Sequence, residues 1–146
     1  MAYDRMRKLS NGCYVGRHSC FLLQYHLVLI TKYRNPVITD EIEIYLKNYT
    51  LKYFKERYSP IVSIETMPDH MHVLFETVPT TRLDVFVNAF KAASSRVIRQ
   101  EFKDELKQWY YKPVFWSQTY FIGSVSERSL EIVKHYIDTQ KEKSNN

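Results

Sequence analysis

The chain changes its hydrophobic rhythm several times, and each change marks an element. Residues 1–20 are polar and interrupted by Gly12 and Gly16, which reads as a loose arm or a short edge element. Phe21 to Thr31 is a run of aliphatic, aromatic and β-branched residues, the composition of a strand. Lys32-Tyr33-Arg34-Asn35-Pro36 ends it, because proline has no amide proton to give to a ladder. From Thr39 to about Arg57 the apolar positions Ile42, Tyr45, Leu46, Tyr49 and Tyr53 recur at helical spacing. Asp40, Glu41 and Glu43 open that helix and Lys52, Lys55 and Arg57 close it, as the backbone dipole favours.

Beyond Ser59-Pro60 the period returns to two. Val62, Ile64 and Thr66 alternate with Ser63 and Glu65, Met67-Pro68-Asp69 forms a turn, and His70 to Val78 forms a third strand. After Pro79-Thr80-Thr81 a second helix carries Leu83, Phe86, Val87, Phe90, Val97 and Phe102. Trp109 to Ser117 is an aromatic-rich connection, Tyr120 to Val125 a fourth strand, and Ser126 an N-cap for a last helix. Leu130, Val133 and Ile137 are that helix's expected buried stripe, and a polar tail follows over about 142–146. The order β-α-β-β-α-β-α predicts an α+β, ferredoxin-like or RRM-like antiparallel sheet, with helices on one face and one extra C-terminal helix. All 146 residues fit a single domain.

Composition narrows the function. Only three glycines occur, so neither a Walker A loop nor a GxGxxG loop can be built. Twenty-one Lys and Arg against sixteen Asp and Glu leave +5, a balance that suits a polyanionic partner. The N-terminus lacks an apolar signal core and no apolar run is long enough to span a bilayer, so a cytoplasmic protein with no membrane partner is expected. Cys13, His18 and Cys20 do not amount to a four-ligand zinc set and read as free thiols beside a histidine.

The most informative triplet is His70-Met71-His72. On a strand the two imidazoles share one face about 7 Å apart, while Met71, Val73 and Phe75 face the helix layer. Such a pair can converge on one cation, and it also occurs as ordinary hydrogen-bonded surface histidine. His26 lies on a neighbouring strand, where a structural hydrogen bond is expected. Asp69 reads as a turn cap and Glu76 as the wet end of its strand, each also within range of a metal role. Tyr136 and Gln140, one turn apart, flank the buried stripe of the last helix and can reach across the open face of the sheet. Tyr136 is one of twelve tyrosines, and the same position suits a packing residue at the rim. A Gln carbonyl oxygen is a ligand for hard cations. Lys32, Arg34, Lys91, Arg96 and Arg99, with Tyr33 and Trp116 as stacking platforms, make up a surface suited to single strands.

Several of these pieces together resemble a known family. Tyr25-His26-Leu27-Val28, Thr31-Lys32-Tyr33-Arg34, Met67 to Leu74, Ser94-Ser95-Arg96, Tyr120 to Ser126 and Val133 to Gln140 are similar, in order and spacing, to the TnpA-type single-tyrosine HUH transposases of small insertion sequences. The resemblance spans about residues 20–141 and leaves the first twenty outside. It implies a metal-dependent enzyme that cuts and rejoins single-stranded DNA at hairpin-forming insertion-sequence ends, through a 5′-phosphotyrosine and without ATP. It places the histidine pair on His70 and His72, the nucleophile on Tyr136 and a third metal ligand on Gln140. It further implies a homodimer using Mg²⁺ or Mn²⁺. Imidazole ligands by themselves favour zinc, copper or nickel, and manganese best satisfies both arguments. Two alternatives stay open: a domesticated relative that processes repetitive palindromes with the same chemistry, and a non-catalytic RRM-like nucleic-acid-binding domain.

Overall fold

The computed structural model describes residues 7–16, 18–126 and 129–144, with side chains described to Gln140. Three two-residue strands, β1 (Arg7–Lys8), β2 (Tyr14–Val15) and β3 (Cys20–Phe21), form an antiparallel ribbon where the sequence suggests an arm or edge element. The main sheet comprises β4 (Leu23–Thr31), β5 (Ile61–Met67), β6 (His70–Thr77) and β7 (Trp116–Ser124) in the order β5-β6-β4-β7, every pair antiparallel. With α1 (Asp40–Lys55) and α2 (Leu83–Glu101) as crossovers, this is the predicted ferredoxin-like α+β arrangement.

α1 starts where its cap predicts: the Thr39 hydroxyl accepts the Ile42 amide proton at 3.4 Å. Its apolar stripe meets α2 and the sheet in an aromatic core, where Phe54 makes edge-to-face contacts with Phe75, Phe86 and Phe90 at 4.9–5.2 Å between ring centres. The second helix ends one residue before Phe102, which leaves helical geometry at φ −119°, ψ 39° and starts a separate turn of helix, α3 (Lys103–Lys107). Within β5 a register shift between Ile61 and Ser63 turns Val62 outward, so Ile61 and Ile64 pack rather than an unbroken Val62-Ile64-Thr66 alternation.

Three expectations about the C-terminal third are corrected. β7 begins at Trp116 rather than Tyr120, and Trp116 is buried on the helix side with its indole donating to Ser94 Oγ at 2.9 Å. It therefore cannot be a stacking platform. The last helix, α4 (Ser129–Ser144), runs into the segment expected as tail, while residues 127–128, next to the expected Ser126 cap, lie outside the described residues. Residues 145–146 lie outside the described residues. Leu130 is 67% exposed and does not belong to the buried stripe; Val133, Tyr136 and Ile137 pack instead on Val28, Ile30 and Phe121. α4 thus covers the sheet face opposite α1 and α2. No helix among the described residues is long and apolar enough to cross a membrane.

The ribbon is tied to the main sheet through one carboxylate. Glu76 is buried, not at a wet strand end, and accepts from Lys8 Nζ at 3.0 Å, Tyr14 Oη at 2.8 Å and Gln24 Nε2 at 2.9 Å. Burial pushes this carboxyl up, but the three donors outweigh it and hold it below its ordinary range. A depressed carboxyl contributes stability above its unfolded-state pKa and loses it as pH falls through the folded value. Hydrogen-exchange protection over residues 7–21, relative to the intrinsic rate at each pH, should therefore fall on acidification, and Glu76→Gln should show that lowered protection already at neutral pH.

Candidate active site

The pairing register brings the histidines together. Ile30 faces His70 and Val28 faces His72 across β4 and β6, while Glu65 of β5 faces His72 from the other side. Opposed residues share a face, so His26, His70 and His72 all lie on the face that α4 partly covers. His26 is diagonal to His72, with Nδ1 2.8 Å from His72 Nε2. Its own Nε2 is 3.0 Å from Ser129 Oγ, at the start of α4. Since the Ser129 hydroxyl donates to the Ser126 carbonyl at 2.9 Å, it accepts from His26 Nε2–H. His26 Nδ1 is then an acceptor, and His72 Nε2–H donates to it. This order assigns the proton-free nitrogen of His72 to Nδ1.

His70 is oriented from the opposite side. Its Nδ1 lies 2.8 Å from Asp69 Oδ1, so Nε2 keeps a lone pair. Asp69 is thus the orienting partner of an imidazole more than a turn cap. Burial lowers the pKa of His26, and burial followed by the nearby His26 charge lowers that of His72 against an upward pull from Glu65. His72 consequently stays neutral to lower pH than an ordinary histidine, which is the form that ligates metals.

Tyr136 sits on α4, which packs on Val28, Ile30 and Phe121 of the same sheet face. Its ring leans on Phe121 at 5.3 Å, and Phe121 in turn folds over Gly123, where a Cβ would come within 2.8 Å of the ring. Among the described residues the buried hydroxyl makes no hydrogen bond of good geometry. Burial pushes the phenol up, partly countered by Thr119 nearby. One turn on, Gln140 is half-buried. Among the described residues no cluster of three or more His, Cys, Asp or Glu is placed to hold a metal. Glu76 is committed elsewhere, and Cys13 and Cys20 are free thiols.

The residues expected at DNA divide into different roles. Arg34 places Nε 2.9 Å from Asp69 Oδ2, a charge contact rather than an aligned hydrogen bond, and Nη1 donates to the Ile137 carbonyl of α4 at 2.9 Å. It joins the histidine turn to the tyrosine helix, a positioning role that the sequence did not disclose because its partners are 35 and 103 positions away. Lys91 donates to the Gln118 carbonyl at 2.7 Å, and burial followed by Lys32 lowers its pKa. Arg96 lines a groove between α1 and α2 on the far side of the sheet. Lys32, Tyr33 and Arg99 lie toward α3 and the 109–114 connection. His26 makes the structural hydrogen bond expected of it, whereas its partner Ser129 and the neighbouring Glu65 were not anticipated; strand register alone would have revealed Glu65.

Truncating His26 should strand its two partners. His26→Ala is expected to cost about 1–3 kcal/mol by leaving His72 Nε2 and Ser129 Oγ with one bond fewer. Urea denaturation checks the magnitude, and an unchanged midpoint would show that the relay does not hold α4 to β6.

Comparison with known proteins identifies the family. The family model described as "Transposase IS200 like" matches residues 19–140. The ISDra2 transposase TnpA of Deinococcus radiodurans is 31% identical over 128 residues, covering 88% of this chain and 91% of that protein. The transposase for insertion sequence element IS200 of Salmonella typhimurium is 27% identical over 127 residues, covering 85% and 83%. A crystal structure of a proposed transposase from Deinococcus radiodurans R1 superimposes with a TM-score of 0.79 at 33% identity, covering 86% of this chain and 96% of that one. With the match running from the ribbon's last strand to Gln140, this chain belongs to the IS200-like transposase family of DNA-processing enzymes.

Proposed function

We propose that this transposase cuts and rejoins single-stranded DNA at the hairpin-forming ends of an insertion sequence, acting as a homodimer with Tyr136 as nucleophile. The observation that carries the reading is a buried phenol on α4, the helix that covers the sheet face bearing His70 and His72, together with two imidazoles whose opposite nitrogens are already held. In the cleavage step Tyr136 Oη bonds to the scissile phosphorus and the bond to the 3′ oxygen breaks. The phenol proton leaves, and the departing oxygen takes up a proton as a 3′-hydroxyl. Rejoining is the reverse: a 3′-hydroxyl attacks the phosphotyrosine, the Tyr136 phenol is regenerated, and one phosphodiester replaces another. Bond energy is conserved, so no nucleotide hydrolysis is needed, consistent with a sequence that has no phosphate-cradling glycine loop.

The donor set fits a divalent cation, Mg²⁺ or Mn²⁺. His70 Nε2, His72 Nδ1 and the Gln140 carbonyl oxygen would hold it, and the Asp69 and His26 bonds are the outer contacts that orient metal-binding histidines. When bound, such an ion neutralises charge on the phosphate and makes phosphorus more electrophilic. The chain's own contribution is orientation: Arg34 and Ser129 fix α4 against the histidine strand, and Phe121 fixes the ring of Tyr136. One nucleophile per chain, against two cleavages and two joins per transposition, supports a dimer.

Incubated with a single-stranded hairpin oligonucleotide and Mn²⁺, the wild type should give a protein–DNA adduct stable on a denaturing gel. Tyr136→Phe should abolish the adduct and keep binding within about threefold, and chelation should remove it as well. Because the phenol is raised above its ordinary value near 10, the adduct should form faster with rising pH across the neutral and alkaline range. An adduct formed by Tyr136→Phe would overturn the assignment.

A further inference from the structure

A second surface, continuous with the candidate site, has not been accounted for by that chemistry. The single 3-10 turn Lys32–Arg34 leaves β4 with two successive non-glycine residues in left-handed geometry, Tyr33 at φ 59° and Arg34 at φ 56°. Such geometry is unfavourable for side chains with a Cβ and persists where surrounding contacts impose it. Here the Lys32 amide donates to the Phe115 carbonyl at 2.8 Å, and the buried Tyr110 hydroxyl donates to the Lys32 carbonyl at 2.7 Å. The turn aims its two side chains differently. Arg34 goes to Asp69 and α4, whereas the Tyr33 ring is 64% exposed and leans on Tyr110 at 6.4 Å.

Around Tyr33 the surface is aromatic and cationic. Tyr33, Trp109, Tyr110, Tyr111 and Lys112 line one small pocket, and Trp109 and Tyr111 are 40% and 92% exposed. Adjoining it is a groove of about 300 Å³, lined on its charged side by Arg99, Lys103, Lys107 and Lys112. Lys32 and Lys112 lie over the Tyr33 and Tyr111 rings at 5.3 and 5.7 Å. Exposed rings of this size contribute little to the core, and the cations beside them outnumber the nearby acids Asp104 and Glu105. Rings that offer a π-face to any base, next to cations that track phosphates, are the composition of a single-strand track.

We propose that Tyr33, Trp109 and Tyr111, flanked by Lys107 and Lys112, form a base-stacking platform that carries the single strand leading away from the phosphate at His70 and His72. This rests on the function proposed above and adds the path of the substrate. Tyr33 and Arg34 are adjacent in the chain, so a strand leaving the histidines meets the Tyr33 ring first. Unpaired bases stack on such rings, whereas a duplex keeps its bases enclosed and can use only the cations. The platform therefore distinguishes single strand from stem.

The test uses the full chain with oligothymidine and, separately, a blunt duplex of the same length. Only two tryptophans occur, and Trp116 is buried, so quenching of tryptophan emission by oligothymidine reports Trp109. Quenching should saturate with binding and vanish in Trp109→Phe. Tyr111→Ala and Tyr33→Ala should each weaken oligothymidine binding on the order of tenfold, as loss of one stacked base does, and leave duplex affinity unchanged. Lys112→Ala should lower the slope of log affinity against log salt by about 0.7. The platform is overturned by unquenched emission at saturating oligothymidine, by wild-type affinity in both tyrosine variants, or by equal losses for single strand and duplex. Tyr111 is almost wholly exposed, so its truncation leaves the core intact and the affinity interpretable. None of these readouts needs chemistry. A wild-type chain that stacks oligothymidine and never forms an adduct would overturn the proposed function and retain the platform.

Discussion

The central strand β4 is buried on both faces, and the arrangement of the whole site follows from that. Leu27 and Leu29 point into the aromatic core under α1 and α2, while Val28 and Ile30 point the other way, under α4. A strand covered on both sides has no wet face on which to place a polar residue, so His26 must satisfy both ring nitrogens within the protein. It does so through His72 on β6 and Ser129 on α4. The requirement to pair one buried imidazole thereby connects the histidine strand to the tyrosine helix.

Arg34 supplies the second connection. Its guanidinium reaches the Asp69 that orients His70 and the backbone of α4 one residue beyond Tyr136. Both histidines and the phenol are consequently positioned by groups outside the trio itself, which is how sites that depend on sub-ångström placement are built. The strained turn that carries Arg34 also displays Tyr33, so one three-residue feature sends one side chain to Asp69 and α4 and the other to the aromatic surface beside Tyr110.

Electrostatics reinforce this division. Burial favours the neutral forms of His26 and His72 and the protonated phenol of Tyr136. Apart from Arg34, which is paired with Asp69, the cations Arg99, Lys103, Lys107 and Lys112 line a groove along α3 and the following connection.

Much of the fold was legible in the sequence because periodicity is local. The 3.6-residue spacing of Ile42, Leu46 and Tyr53 and the twofold alternation through His70-Met71-His72 report which side of each element is apolar, and burial follows that side. The ordered motifs likewise pointed to the family, and His70, His72, Tyr136 and Gln140 could be singled out before any contact was known. Boundaries and partners were not legible. Trp116 reads as an exposed aromatic until the β4–β7 register turns it toward Ser94, and Leu130 reads as core until α4's rotation leaves it in solvent. The Glu76 anchor, the His26 relay, the Arg34 connection and the cluster of Tyr33 with Trp109 and Tyr111 join residues far apart in the chain. The chain's local patterns determined its elements and its chemically capable residues; tertiary structure decided which of them meet, because long-range contacts depend on register and helix rotation, quantities that no local pattern contains.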